Sequence, residues 1–169
     1  HPGERFEADI VLPAMNRAEA EEFNAFRLRL RGQFGTFLFG DPAAATPRGS
    51  AASTPGTPVV NGADQTGDSL AIDGLPTSAT GYLKAGDYIQ IGNSSAATLH
   101  KVLNDVNSNS NGETTLDIYP EIRTSPADNA AVIVSNAKGI FRLASNETNW
   151  TINEVTHFGI SFAAVEAIT

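Results

Sequence analysis

The chain has 169 residues, a formal net charge of −8, a pI near 4.7 and no cysteine. That length makes one compact unit or two small ones, and the missing thiols exclude disulfides, zinc–thiolate sites and cysteine nucleophiles. The acidic balance offers no general attraction to nucleic acid or anionic lipid, so neither is an expected partner.

No run approaches the length needed to cross a bilayer, and residues 1–20 lack the order of a secretory signal. The chain starts His-Pro-Gly rather than with methionine, which is what a missing or processed N-terminus would leave. The first element, "RFEADIVL" at 5–12, alternates Phe6, Ala8, Ile10 and Leu12 against Arg5, Glu7, Asp9 and Val11, the pattern of a half-buried strand. "PAMNRAEAEEFNAFRLRLRG" follows as the one predicted helix, over 16–31. Asn16 and Glu19 have capping-box spacing, and Gly32 stands where a helix ends. Glu19, Glu21 and Glu22 precede Arg27, Arg29 and Arg31, an order that complements the helix dipole. Phe23, Phe26 and Leu30 form its apolar stripe.

"FGTFLFGDP" at 34–42 reads as a short aromatic strand stopped by a turn. Residues 43–58, small and proline-punctuated, read as a flexible linker. Beyond it "SLAIDGL", "DYIQIG", "TLHKVLNDV", "TTLDIYP" and "AAVIVSN" are strand-like runs at the spacing of a small barrel or sandwich. "GIFRLASN", "NWTINEV" and "FGISFAAVEAI" complete the chain as strands. The first segment lacks partners for a core and the last lacks a covering helix. The expected architecture is therefore mainly β (α+β): a split β-barrel or sandwich with one packed helix from 1–42 and 137–169, and a small β-barrel inserted at 59–136.

Candidate chemistry concentrates at 86–120. His100 and Lys101 fall on opposite faces of one strand, with Leu99 and Leu103 beside Lys101 and with Val102 and Asn104 beside His100. They cannot easily share a site. Asp105, Asn107 and Asn109 have the alternate spacing of calcium ligands. Ser110 and Leu116, however, occupy the positions where such a loop needs glycine and glutamate, and a polar hairpin turning at Asn111-Gly112 explains the same residues. His1, His100 and His157 have no evident carboxylate companion, and no nucleophile elbow, dinucleotide fingerprint or phosphate loop is present. Trp150, beside Asn146, Asn149 and Asn153, suits either a packed strand or a sugar platform. Asn93, Asn146 and Asn149 fit glycosylation triplets, which mean little without a secretory signal. No catalytic, cofactor-binding or metal residue is assigned, and no enzyme is expected.

The order of elements resembles the distal tail proteins of long-tailed bacteriophages and gene-transfer-agent-like prophages. Three stretches carry the resemblance: "RFEADIVLPAMNRAEAEEFNAFRLRLRGQFGTFLFGDP", "GYLKAGDYIQIG" with "LHKVL" and "LDIYPEIR", and "GIFRLASNETNWTINEVTHFGISFAAVEAI". It implies a split-barrel domain related to tail-tube proteins and a homo-oligomer, a hexameric ring at the virion tail tip, assembled in the host cytoplasm. The implied partners are the tail tube protein, the baseplate hub and a tail fibre or receptor-binding protein, with DNA only as passing cargo. An acidic surface suits a lumen along which DNA slides. The alternatives are a carbohydrate- or receptor-binding β-module, a cell-wall hydrolase using an Asp/Glu pair, or another virion position such as tail tube, tail terminator or capsid decoration.

Overall fold

The structure is a computed structural model that describes residues 3–149, 151–152 and 157–168. His1, Trp150 and Asn153 lie outside the described residues. The chain is mainly β, with one α-helix among the described residues, and divides into two compact units. The larger comprises residues 1–4 and 38–139, the smaller 5–37 and 140–169.

In the larger unit six strands form one antiparallel sheet: β3 (Val59–Val60), β4 (Gly67–Asp73), β5 (Tyr88–Ile91), β6 (Thr98–Val102), β7 (Thr114–Ile122) and β8 (Val132–Ile133). Their order is β3-β4-β7-β6-β5-β8. The sheet nearly closes on itself, because Val59 bridges Ala131 while the Val60 N–H donates to the Ala130 carbonyl at 2.9 Å. Alternating side chains fill the interior: Val60, Leu70, Ile72, Ile89, Val102, Leu116 and Ile118 are all buried. Tyr82 and Leu83 join the same core from the loop before β5. The Tyr82 hydroxyl donates to the Pro55 carbonyl at 2.6 Å, and burial pushes its phenol up to about 12.

The segment at 43–58, expected as a flexible linker, is corrected by the structure. It belongs to the larger unit and contains the short 3₁₀ turns Pro42–Ala44 and Ser50–Ala52. Ala51 is fully buried in the barrel core, and its N–H donates to Tyr82 O at 3.0 Å. Small side chains here allow the backbones to approach closely, a role that composition alone does not separate from flexibility.

The 103–113 connection also differs in detail from expectation. The Gly112 N–H donates to Asn109 O at 3.1 Å, so Ser110 and Asn111 are the central residues, one position earlier than the Asn111-Gly112 pair. The Asn109 side-chain oxygen accepts from the N–H groups of Asn111 and Glu113 and fixes this arrangement.

A second sheet, β1-β12-β9-β2, joins β1 (Glu7–Val11), β2 (Phe37–Phe39), β9 (Gly139–Leu143) and β12 (Ser161–Glu166); β1, β12 and nearly all of β9 belong to the smaller unit, whose boundary falls within β2. A two-stranded ribbon pairs β10 (Thr151–Ile152) with β11 (Phe158–Gly159). β1 shows the anticipated alternation and pairs with β12, Ile10 opposite Phe162. The helix α1 (Arg17–Arg29) starts on the anticipated capping box, with Asn16 Oδ1 accepting from Glu19 N–H at 3.0 Å and Glu19 Oε2 from Asn16 N–H at 3.1 Å. It stops at Leu30, and Arg31 and Gly32 both take left-handed φ. Its aromatic stripe packs on the sheet, Phe23 on Phe162 and Phe26 on Phe37, each with ring centroids 5.7 Å apart.

Gly112 has φ +75°, and a Cβ there would lie 2.3 Å from the Leu75 carbonyl oxygen, whereas Gly62 at φ +94° has nothing within 4 Å. Gly62→Ala should therefore cost only the left-handed strain, about 1–2 kcal/mol, and Gly112→Ala clearly more. Urea unfolding of the two variants checks the order.

Candidate functional site

The residues that drew attention at 86–120 turn out to be held by the barrel. His100 is 3% exposed, on the interior side of β6. Its Nδ1 lies 2.7 Å from the Pro120 carbonyl, which can only accept, so Nδ1 carries the proton. In the neutral ring Nε2 then accepts from the Thr98 hydroxyl at 3.0 Å. Both ring nitrogens thus have partners within the barrel wall. Lys101 points the other way, as the alternation implied, and its ammonium lies 4.5 Å from the centre of the Tyr88 ring on the neighbouring strand.

The calcium-like oxygens are tied to the loop before β5. Asp105 accepts from the Ala85 N–H and the Lys84 ammonium, both at 2.9 Å. Asn107 Oδ1 accepts from Gly81 N–H at 2.6 Å. Asn109 Oδ1 serves its own turn, so the alternate spacing organises a loop-to-loop seam. The Ala85 N–H first, then Lys84, hold the Asp105 carboxyl below its ordinary value of 3.8. Among the described residues no group of three or more His, Cys, Asp or Glu side chains converges as metal ligands would. No helix among them is long and apolar enough to cross a membrane.

A different residue stands out in the smaller unit. Arg27, one of the basic residues whose order complements the helix dipole, is only 2% exposed. It falls inside the apolar stripe, four residues after Phe23 and between Phe26 and Leu30, and that spacing was the signal available in the sequence. One guanidinium nitrogen, Nη1, donates to the Asn149 carbonyl at 3.0 Å. The guanidinium sits 5.5 Å from the centre of the Phe162 ring. Its Nε is buried without a hydrogen-bond partner among the described residues. Burial pulls the guanidinium below its ordinary value, but an arginine stays charged at any ordinary pH. A cavity of about 150 Å³ opens beside it, lined by Leu143, Ser145, Glu147, Asn149, Ser161, Phe162 and Ala163.

No protein-family model matches the chain, and no curated protein matches it as a relative. Of the asparagines near Trp150, Asn149 supplies its carbonyl to Arg27, and Asn146 Oδ1 accepts from Gln33 N–H at 2.9 Å. The described part of that sequence patch therefore ties α1 and the turn after it to the segment that follows β9.

Two outcomes follow from the seam. Because its oxygens already accept protein N–H groups, adding calcium or a chelator should move the melting temperature by less than about 1 °C in a thermal scan. The Asp105 carboxyl is depressed in the folded state, so its stabilising contribution is present above its unfolded value and disappears as pH falls through the lower folded value. Asp105→Asn should therefore flatten the acid limb of stability below about pH 4, read as the urea midpoint against pH.

Proposed function

We propose that the chain is a structural virion component, a ring-forming distal tail adaptor that joins a phage tail tube to the tail-tip hub and carries receptor-binding proteins. The observation that supports it best is the open four-stranded sheet β1-β12-β9-β2, which ends in β1 and β2. Strand edges of this kind offer main-chain donors and acceptors through which a sheet continues into a neighbour. The smaller unit carries large apolar side chains in water: Val11 on the edge strand β1 is 78% exposed and Phe34, after the helix, 87%. Leu28 and Ile152 are also exposed. Side chains of this kind suit burial between copies.

The larger unit contributes differently. Its sheet nearly closes, so it has little edge to share, and its outer face is the natural place for a fibre or receptor-binding protein to dock. The resemblance in element order to distal tail proteins supplies the particular position in the virion.

Light scattering at several concentrations, followed by imaging, tests the proposal. A six-fold ring with a central hole is expected. Val11→Asp and Phe34→Asp, both at exposed positions, should leave the melting temperature unchanged and raise the concentration needed for assembly at least tenfold, since burying each apolar side chain is worth about 1.5–3 kcal/mol. A protein that stays monomeric at every concentration, alone and with tail-tube and hub proteins, overturns it.

A further inference from the structure

We propose that the cavity beside Arg27 is a binding site for a single carboxylate group supplied from outside the chain's own fold. A buried cation in a folded protein ordinarily has a counter-ion, because an uncompensated charge out of water is costly. Arg27 has none. Among the described residues its one hydrogen bond runs from Nη1 to the neutral carbonyl of Asn149, and its guanidinium also sits by the Phe162 ring. The Nε remains without a partner, and Nη2 donates to no acceptor among the described residues. Nε and Nη2 form the side-on edge of the guanidinium, whose two parallel donors match the two oxygens of a carboxylate.

The cavity selects among anions. Its volume, about 150 Å³, is that of a handful of non-hydrogen atoms, enough for a carboxylate and a short carbon stem. Ser145 and Ser161 line it and offer hydroxyls that either donate or accept. Glu147 lines it too but forms no ion pair with Arg27. A single guanidinium edge with two parallel donors suits a monoanion, and the Glu147 carboxylate on the same wall disfavours a doubly charged phosphate. Two sources present the required chemistry: an acidic side chain of a neighbouring protein, for which this acidic chain itself qualifies, and a free small carboxylate.

The test uses the whole chain, labelled with ¹⁵N, and follows the Arg27 Nε–H resonance, assigned by its loss in Arg27→Lys. At low protein concentration sodium acetate is titrated against sodium chloride at matched ionic strength. The expected result is a saturable shift with acetate alone, with a Kd of about 1–50 mM for so small a ligand. Glu147→Gln should tighten it about threefold or more by removing a negative charge from the cavity wall. In a second arm the protein is concentrated without acetate. A shift in the same direction, reversed by dilution and competed by acetate, identifies a neighbouring copy as the source. Its absence, with acetate binding intact, identifies a free carboxylate. The inference is overturned if the resonance moves in neither arm, if chloride and acetate act alike, or if inorganic phosphate binds more tightly than acetate. Should Arg27→Lys not fold, through-bond correlations in wild-type protein labelled with ¹³C and ¹⁵N assign the same resonance, so the test does not depend on the variant. A protein that binds acetate yet stays monomeric both alone and with tail-tube and hub proteins would sink the ring and leave the site standing.

Discussion

Closure of the six-stranded sheet is the constraint on which the larger unit depends. Val59 and Val60 are only two strand residues, yet the Val60 N–H reaches Ala130 and the Val132 N–H reaches Pro58. These bonds turn a curved sheet with two edges into a wall with almost none. Once the wall closes, every inward position from Val60 to Val134 shares one core. His100 can then be buried because Pro120 O and Thr98 Oγ1 lie on the same wall to meet its nitrogens. The loop before β5 completes the enclosure. Tyr82 and Leu83 enter the core, while Asp105, Asn107 and Ser108 satisfy backbone N–H groups of that loop.

The smaller unit obeys a different economy of surface. Its sheet is open, and α1 covers one face, so its interior depends on the contacts of Phe23, Phe26, Phe37 and Phe162. Into this aromatic layer the helix also inserts a guanidinium. Arg27 is tolerated there through the Asn149 carbonyl and the Phe162 ring, two neutral groups that compensate a charge only partly. An open edge, exposed Val11 and Phe34, and an under-compensated cation all belong to a unit whose own fold leaves interactions unfinished. That incompleteness is the physical common ground between the assembly proposed for the chain and the carboxylate proposed for the cavity.

Local signals in the chain were legible wherever one residue acts on its near neighbours. The alternation from Phe6 to Leu12 and the Asn16–Glu19 capping box both stand in the structure at the anticipated residues. The opposed directions of His100 and Lys101 do too. The misreadings have physical causes. β3 is two residues long and carries no period of its own. The segment at 43–58 looked like a linker because small residues serve both mobility and close packing, and only the position of Ala51 beneath Tyr82 O decides between them. Arg27 was grouped with Arg29 and Arg31 because charge order along a helix says nothing about which face a neighbour will cover.

The sequence by itself determined a mainly β chain with one capped helix, without thiol chemistry and with an acidic surface, because alternation, capping and composition are local or additive properties. Tertiary structure alone decided the strand order by which the expected barrel nearly closes and that the oxygens at 105–109 bind backbone N–H groups. It alone decided, too, that Arg27, one of three arginines grouped at the end of the expected helix, is enclosed beside a cavity. Those outcomes depend on which backbone donors and which faces meet across more than a hundred residues of chain, as when Asn149 reaches Arg27, and no short window of sequence contains both halves of such a contact.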